Sequence, residues 1–541
     1  MRKSAKVALV LMILFVFFLA VLGGGWLLLR RGGVKSVPER TVLEVDFDCG
    51  LIEFVSDDAV ASFLSEKKMS MLAMVEALEA AAHDDRVVGM IARVSSPPLG
   101  IAHLQELRDA VADFRAAGKP AVAWADTFGE FTGGNGAYYL ASAFDEIYLQ
   151  PSGDVGLTGL GSVTPFIRGT LDKLGVEPEF GQRYEYKNAV NFFTEKQFTE
   201  PHKEALKAVV DSIFDQIVQG IAAGRKLGED EVRALADRGP LLGEEAVEAH
   251  LVDGLKYRDE VYDQVLEKAG AGAKLLYLDK YADRADGPYN TGDTIALVYG
   301  IGGVSRGEND YDPFSDSFTL GADSVAEAIR KAAEDEDVKA ILFRVDSPGG
   351  SYVASDTVWH EVEKASKSGK PVIVSMGDVA GSGGYFVAMA ADKIVAEPST
   401  ITGSIGVFSG KFVTTDMWAK VGITFDELQT SQDALMYSGT HRFTDEQWDK
   451  VNGALDRIYA DFTTKVAAGR GLPLDQVKEI AKGRIWSGED GKRIGLVDEL
   501  GGFKVAIRLA REAAGLAPDA KVRLRQFPSP KSPFEILFGE G

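Results

Sequence analysis

The sequence predicts an α/β protein made of two copies of one fold in tandem, preceded by a single membrane-spanning helix. Three observations carry this expectation. Short, apolar, β-rich runs alternate with helical stretches, the pattern of a mainly parallel sheet covered by helices on both faces. Motifs in the first half of the chain return in the second at a nearly constant spacing. An uncharged run near the N-terminus is long enough to cross a bilayer.

The alternation is clearest in the second half. "AILFRV" (Ala340–Val345) and "PVIVSM" (Pro371–Met376) are almost wholly apolar, as strands buried on both faces must be. "DSVAEAIRKAAED" (Asp323–Asp335) and "SDTVWHEVEKASKSG" (Ser355–Gly369) carry helical periodicity, with Asp and Ser at their starts and a Gly stop on the second. Further along, "FTDEQWDKVNGALDRIYADFTTKVAAG" (Phe443–Gly469) reads as one long helix, as does "FTEPHKEALKAVVDSIFDQIVQGIAAG" (Phe198–Gly224) in the first half.

Those two helices are partners in the repeat. "VEALEAAAHDDRVVGMIARVSSP" (Val75–Pro97) aligns with "AEAIRKAAEDEDVKAILFRVDSP" (Ala326–Pro348), and Arg344 stands 251 residues after Arg93. The "GKP" at Gly118 matches the one at Gly369 in the same register. Later matches lie slightly closer together: "DEIYLQP" (Asp145–Pro151) with "DKIVAEP" (Asp392–Pro398), Gly156 with Gly403, and "LVD" at Leu251 with "LVD" at Leu496. The expected organisation is an anchor over 1–40, a first repeat over 41–290, a second over 291–515 and a Pro-rich tail over 516–541.

The first of these units holds "VALVLMILFVFFLAVLGGGWLLL" (Val7–Leu29), which is uncharged throughout and has no polar face. A cleaved signal peptide has a shorter apolar core and a clear small-x-small exit, so an uncleaved anchor is expected. Composition narrows the rest. Of 541 residues, 45% are hydrophobic and 26% charged, which is globular, and the length calls for more than one folding unit. A net charge of −22 argues against nucleic acid as a partner. A single cysteine, Cys49, excludes an intramolecular disulfide and any cysteine zinc site, and the six histidines fall in no metal-binding pattern. No metal and no cofactor is expected.

Chemistry enters where the repeats differ. In the register of Asp145 and Asp392, "GNGAY" (Gly134–Tyr138) lies opposite "GSGGY" (Gly381–Tyr385). The glycine frame is common to both, but Asn135 faces Ser382. In the register of the "FTE" at Phe198 and the "FTD" at Phe443, Lys187 lies opposite Gln432. One half therefore has the serine without the lysine and the other has the lysine without the serine, which suggests one composite site. A serine hydroxyl is a poor nucleophile until a base removes its proton, and a neutral lysine can be that base. A free lysine titrates near 10.4, so its pKa must fall by about three pH units, roughly 4 kcal/mol, which burial among apolar groups supplies. The histidine nearest in sequence, His360, falls in a predicted helix with no supporting motif, so a Ser-His-Asp triad is not expected. "FRVDSPGG" (Phe343–Gly350) runs from a strand into a Gly-Gly turn. Backbone N–H groups of Gly349 or Gly350, with that of Gly383, are candidates for an oxyanion hole. The first half has "SSPPLG" there, and Pro98 has no N–H to donate. "VYGIGG" is not read as a nucleotide site, because Ser305 stands where the third glycine of GxGxxG belongs.

"DSPGG" (Asp346–Gly350), "GDVAGSGGYFVAMAADKIVAEPSTITGSIGV" (Gly377–Val407) and "YKNAV" (Tyr186–Val190) resemble the signal peptide peptidase A family (protease IV, peptidase family S49) in its long, duplicated form. The resemblance covers nearly the whole chain from about residue 42. It implies tandem ClpP/crotonase-like domains, Ser382 as nucleophile, Lys187 as general base, and Ser404 of "TGSIG" as the serine that holds the lysine amine. It further implies a serine protease that degrades released signal peptides. The enzyme would be a homotetramer anchored in the bacterial inner membrane, with its catalytic part on the periplasmic side. The chain departs from the family's pattern around "SSPPLG" and "FGEFTGGNG", where no catalytic residue is expected. Two other readings are a crotonase-like acyl-CoA enzyme, disfavoured by the anchor and the Ser/Lys pairing, and a non-catalytic membrane scaffold.

Overall fold

The computed structural model describes residues 36–54, 69–312 and 317–529. The expected anchor Val7–Leu29 lies outside them, and among the described residues no helix is long and apolar enough to cross a membrane. The first half supplies β1 (Thr41–Asp46), β2 (Val87–Arg93), β3 (Ala121–Ala125), β4 (Glu146–Leu149), β5 (Glu177–Arg183) and β6 (Lys274–Tyr277), with helices α1 (Met71–His83), α2 (Ile101–Ala116), α3 (Asn135–Ala141) and α4 (Glu200–Arg225). Its sheet runs Gly254–Leu255, β4, β3, β2, β1, β6, every pair parallel.

The second half supplies β7 (Asp293–Ile301), β8 (Val338–Ser347), β9 (Val372–Gly381), β10 (Lys393–Ala396), β11 (Ile401–Gly403), β12 (Val407–Val413), β13 (Ile485–Ser487) and β14 (Val522–Phe527). Its helices are α5 (Ala322–Glu334), α6 (Tyr352–Lys367), α7 (Gly383–Ala388), α8 (Asp445–Arg470) and α9 (Phe503–Ala513). The strand order is β13, β11, β9, β8, β7, β14, with β10 beside the first part of β9. Only β13 runs antiparallel to its neighbour in this sheet. The segment after 515 adds β14 to the sheet edge alongside β7.

Consecutive apolar residues on β8 separate onto two cores, as strands covered on both faces require. Ala340 and Leu342 pack with Leu78 of α1 and with Leu104 and Leu107 of α2, so the second sheet rests directly on helices of the first half. Ile341 and Phe343 face the opposite way, toward Val358 and Val362 of α6. Each fully buried side chain of this size stabilises the fold by about 1.5–3 kcal/mol. The repeated Phe-Thr pairs also acquire a reason: Thr199 and Thr444 are the N-caps of α4 and α8, accepting from the backbone of His202 and Gln447. Away from the sheets, β5 of the first half pairs antiparallel with β12 of the second, from Arg183 opposite Val407 to Glu177 opposite Val413. This ribbon carries the chain toward Lys187 across the other half.

Candidate active site

Strand β9 continues past the expected "PVIVSM" to Gly381, and Ser382 follows as the N-cap of α7. The turn is sharp. Ser382 adopts φ 54 and ψ −117, a conformation that non-glycine residues rarely occupy and that clusters at functional sites. It is held on both sides, by Ser382 N–H donating to Gly403 O (2.8 Å) and Phe386 N–H donating to Ser382 O (2.9 Å). The following glycines make the turn possible. A Cβ on Gly384 would lie 2.3 Å from Ser347 O, and one on Gly383 would lie 2.6 Å from Ser355 Oγ. The side chain of Ser382 thus stands at the C-terminal end of a parallel strand, where ligand sites of α/β sheets form.

Lys187 arrives from the first half, just beyond β5. Its backbone is fixed against the second half, since Tyr184 N–H and Tyr186 N–H both donate to Lys482 O and Lys187 N–H donates to Tyr184 O. Gly483 is the other side of that contact. It has φ 84, and a Cβ there would lie 2.5 Å from Lys187 N. The side chain is 4% exposed. Its Nζ lies 2.9 Å from Ser382 Oγ, 2.9 Å from Ser404 O and 3.0 Å from Ser404 Oγ. Burial pulls the amine from its ordinary value near 10.5 down to about 7, because the charged form loses its water. Ser404 also sits at positive φ (51), directly after β11, with its N–H donating to Arg484 O (2.7 Å). Ser382, Lys187 and Ser404 are therefore brought together as one hydrogen-bonded group.

The first half closes its corresponding site without an amine. Asn135 Oδ1 accepts from Thr158 N–H (3.0 Å) and Gly159 N–H (3.0 Å), and its Nδ2 donates to Gly159 O (2.9 Å). One amide thus binds the loop that in the second half is met by Lys187. The counterpart of Ser404 there, Leu157, is buried and apolar.

The three candidate oxyanion glycines converge as well. A Cβ on Gly349 (φ 102) would lie 2.6 Å from Gly383 N, and one on Gly383 would lie 2.9 Å from Gly350 N. Hydrogen bonding distinguishes Gly349 from Gly350. Gly349 N–H donates to Ser347 Oγ (3.2 Å), and Gly349 O and the next N–H, that of Ser351, both bond Val304. This leaves Gly350 N–H beside Gly383 N–H, the latter in the first turn of α7 where N–H groups have no helical acceptor. Sequence reasoning missed Gly483 and the Tyr184–Tyr186 bonds that position Lys187. Neither has a signal in the repeat, because they join the halves where the halves differ.

Comparison with known proteins adds an independent line. The Peptidase family S49 model matches residues 113–272 and 364–517, one stretch in each half. The chain is 32% identical over 474 residues to Protease 4 of Haemophilus influenzae, covering 84% of this chain and 75% of that protein. It is 30% identical over 531 residues to Protease 4 of Salmonella typhi, covering 94% and 84%. It is also 30% identical over 526 residues to a chloroplastic serine protease SPPA of Arabidopsis thaliana, covering 95% and 74%.

Proposed function

The chain belongs to peptidase family S49 and is a serine protease; from that premise we propose that it is a membrane-anchored endopeptidase with a Ser382/Lys187 dyad, degrading signal peptides and other extended apolar peptides. The observation that carries the dyad is the 2.9 Å contact between a buried Lys187 Nζ and Ser382 Oγ.

In the acylation step neutral Lys187 takes the Ser382 hydroxyl proton as Oγ attacks the scissile carbonyl carbon. The carbonyl oxygen becomes an oxyanion and accepts from Gly350 N–H and Gly383 N–H. The Lys187 ammonium then donates its proton to the leaving amine as the C–N bond breaks, leaving an acyl-serine. A water, deprotonated by the again neutral Lys187, attacks the ester. Collapse of the second intermediate returns the proton to Ser382 and releases the acid product. Ser404 aims the amine throughout, since its O and Oγ accept from the Nζ hydrogens not directed at Ser382.

The substrate class and setting are those the family resemblance implies. In this reading the catalytic part lies on the periplasmic side of the bacterial inner membrane, tethered by Val7–Leu29, as a homotetramer. One structural feature supports assembly. The second-half counterpart of β5, residues 422–428, is exposed with Leu428 at 97%, and the first-half counterpart of β12, residues 160–166, is partly exposed with Val163 at 98%. An antiparallel ribbon like the one inside the chain can form between copies through these segments, a head-to-tail contact that gives a ring where its rotation closes.

The test is peptidase activity on a synthetic signal-sequence peptide. Ser382→Ala and Lys187→Ala, assayed separately, are each expected to lose essentially all turnover. Full activity in either would refute the dyad.

A further inference from the structure

Between the halves lies a buried group of charges that the proposed chemistry does not use. Arg344 on β8 is 0% exposed and donates to Glu53 (2.6 Å), Glu106 (3.0 Å) and Ser375 Oγ (2.9 Å). Glu53 also meets His103 Nε2, near the start of α2. The other ring nitrogen, Nδ1, lies 2.5 Å from Asp378 Oδ2, and the His103 backbone N–H donates to Asp378 Oδ1 (3.1 Å). Gly100 makes room for that carboxylate, since a Cβ there would lie 2.1 Å from Asp378 Oδ2. Asp378 is on β9, four residues before Ser382. Beside it, Asp346 Oδ1 accepts from Val379 N–H (2.9 Å), across the point where the β8–β9 register shifts between Val345 and Ser347.

The hydrogen-bond inventory decides the protonation state. A carboxylate only accepts, and a neutral imidazole has one N–H and one lone pair. With both ring nitrogens against ionised carboxylate oxygens, a neutral His103 would aim a lone pair at an anion. The arrangement is satisfied when both nitrogens carry hydrogen.

We propose that His103 is a positioning residue, held as an imidazolium between Glu53 and Asp378, and that this clamp aligns the β9 segment leading to Ser382 with the half that supplies Lys187. It rests on the Ser382/Lys187 reading for its catalytic meaning. The groups facing His103 are Glu53 from the segment after β1, Asp378 from β9, Asp346 and Arg344 from β8, and Glu397 from the turn after β10. Burial works against the His103 charge, but Glu53 and Asp378 outweigh it and hold the ring well above its ordinary value. A group raised in this way contributes its stability in full at low pH and loses it as pH rises through the folded-state value. The clamp therefore opens on the alkaline side.

The test uses the full chain carrying Ser382→Ala, with histidine labelled at Cε1 and titrated by NMR. The His103 signal is assigned by its loss in His103→Gln. This measurement is independent of the dyad, so failure of the clamp and failure of the dyad are separate results. His103 is expected to titrate well above the ordinary 6.5, and a signal titrating near 6.5 would overturn the proposal. Asp378→Asn, which keeps the shape and removes one carboxylate, is expected to move the His103 titration downward; no movement also overturns it. With Ser382 intact, His103→Gln is expected to lower kcat by about 100-fold, the effect of a misplacement of about 1 Å, with little change in KM. The same variant is expected to abolish the alkaline loss of activity. An unchanged kcat with an unchanged alkaline limb refutes the positioning role.

Discussion

Placing a carboxylate beside the proposed catalytic amine, by Ser404→Asp, gives the sharpest test of how Lys187 is kept neutral. Burial alone accounts for its fall from 10.5 to about 7, with no charged partner contributing. That displacement corresponds to roughly 5 kcal/mol, at about 1.36 kcal/mol per pH unit. It leaves about half the amine neutral at pH 7, against about one molecule in three thousand for a lysine in water. Ser404 Oγ is 3.0 Å from Nζ, and the residue has φ 51, a region that aspartate tolerates better than most side chains. An opposite charge at this distance favours the ammonium by about 1–3 pH units. The acid limb of kcat/KM is therefore expected to move from about 7 to between about 8 and 10. Activity at pH 7 should fall by about 5- to 500-fold, since half the parent amine is already charged there, and return in alkaline buffer. The assay is kcat/KM against pH for the parent and Ser404→Asp on one peptide. A limb that stays near 7 with only its plateau lowered would refute the assignment of that limb to Lys187. The sign for stability is equally definite: the depressed lysine destabilises the fold in full below about pH 7, and the penalty is relieved as pH rises from there toward 10.5.

Other substitutions probe the scaffold around this pair. Gly483→Ala places a Cβ 2.5 Å from Lys187 N at a φ of 84, and should lower the urea midpoint and also cut kcat per folded molecule by about 100-fold. Asn135→Ala removes the amide from three hydrogen bonds in the first half; it should cost about 1–3 kcal/mol in urea unfolding and leave kcat per folded molecule unchanged. Leu428→Asp charges an exposed apolar side chain on the proposed contact between copies and should lower the assembled fraction in sedimentation velocity; unchanged assembly would remove that segment from the contact.

Much of the site was legible in the sequence because the chain contains its own control. The glycine frame around Ser382 recurs around Asn135, so the turn and the nucleophile could be told apart without any other protein. The strands were legible because residues such as Ala340 to Phe343 are apolar on both faces. His103, Glu53 and Asp378 were not, since their meaning lies in contacts among three separate segments and no repeat partner marks them. The Pro-rich tail concealed β14: "VRLRQF" (Val522–Phe527) alternates for only four residues before the prolines begin, and its place at the sheet edge depends on β7 being unpaired on that side. The β5–β12 ribbon escaped notice for a related reason. Its two strands are polar for half their length and derive their order from each other.

Dividing the pair between the halves also bears on how such an enzyme is made. Ser382 follows Lys187 by 195 residues, so a chain still under synthesis holds the base without the nucleophile for much of its emergence. With the proposed dyad, even the finished polypeptide is inert until the halves dock, because a lysine in water is charged at neutral pH and cannot take a proton. Proteolytic power therefore appears only once folding is complete, and partly folded copies are spared attack by one another.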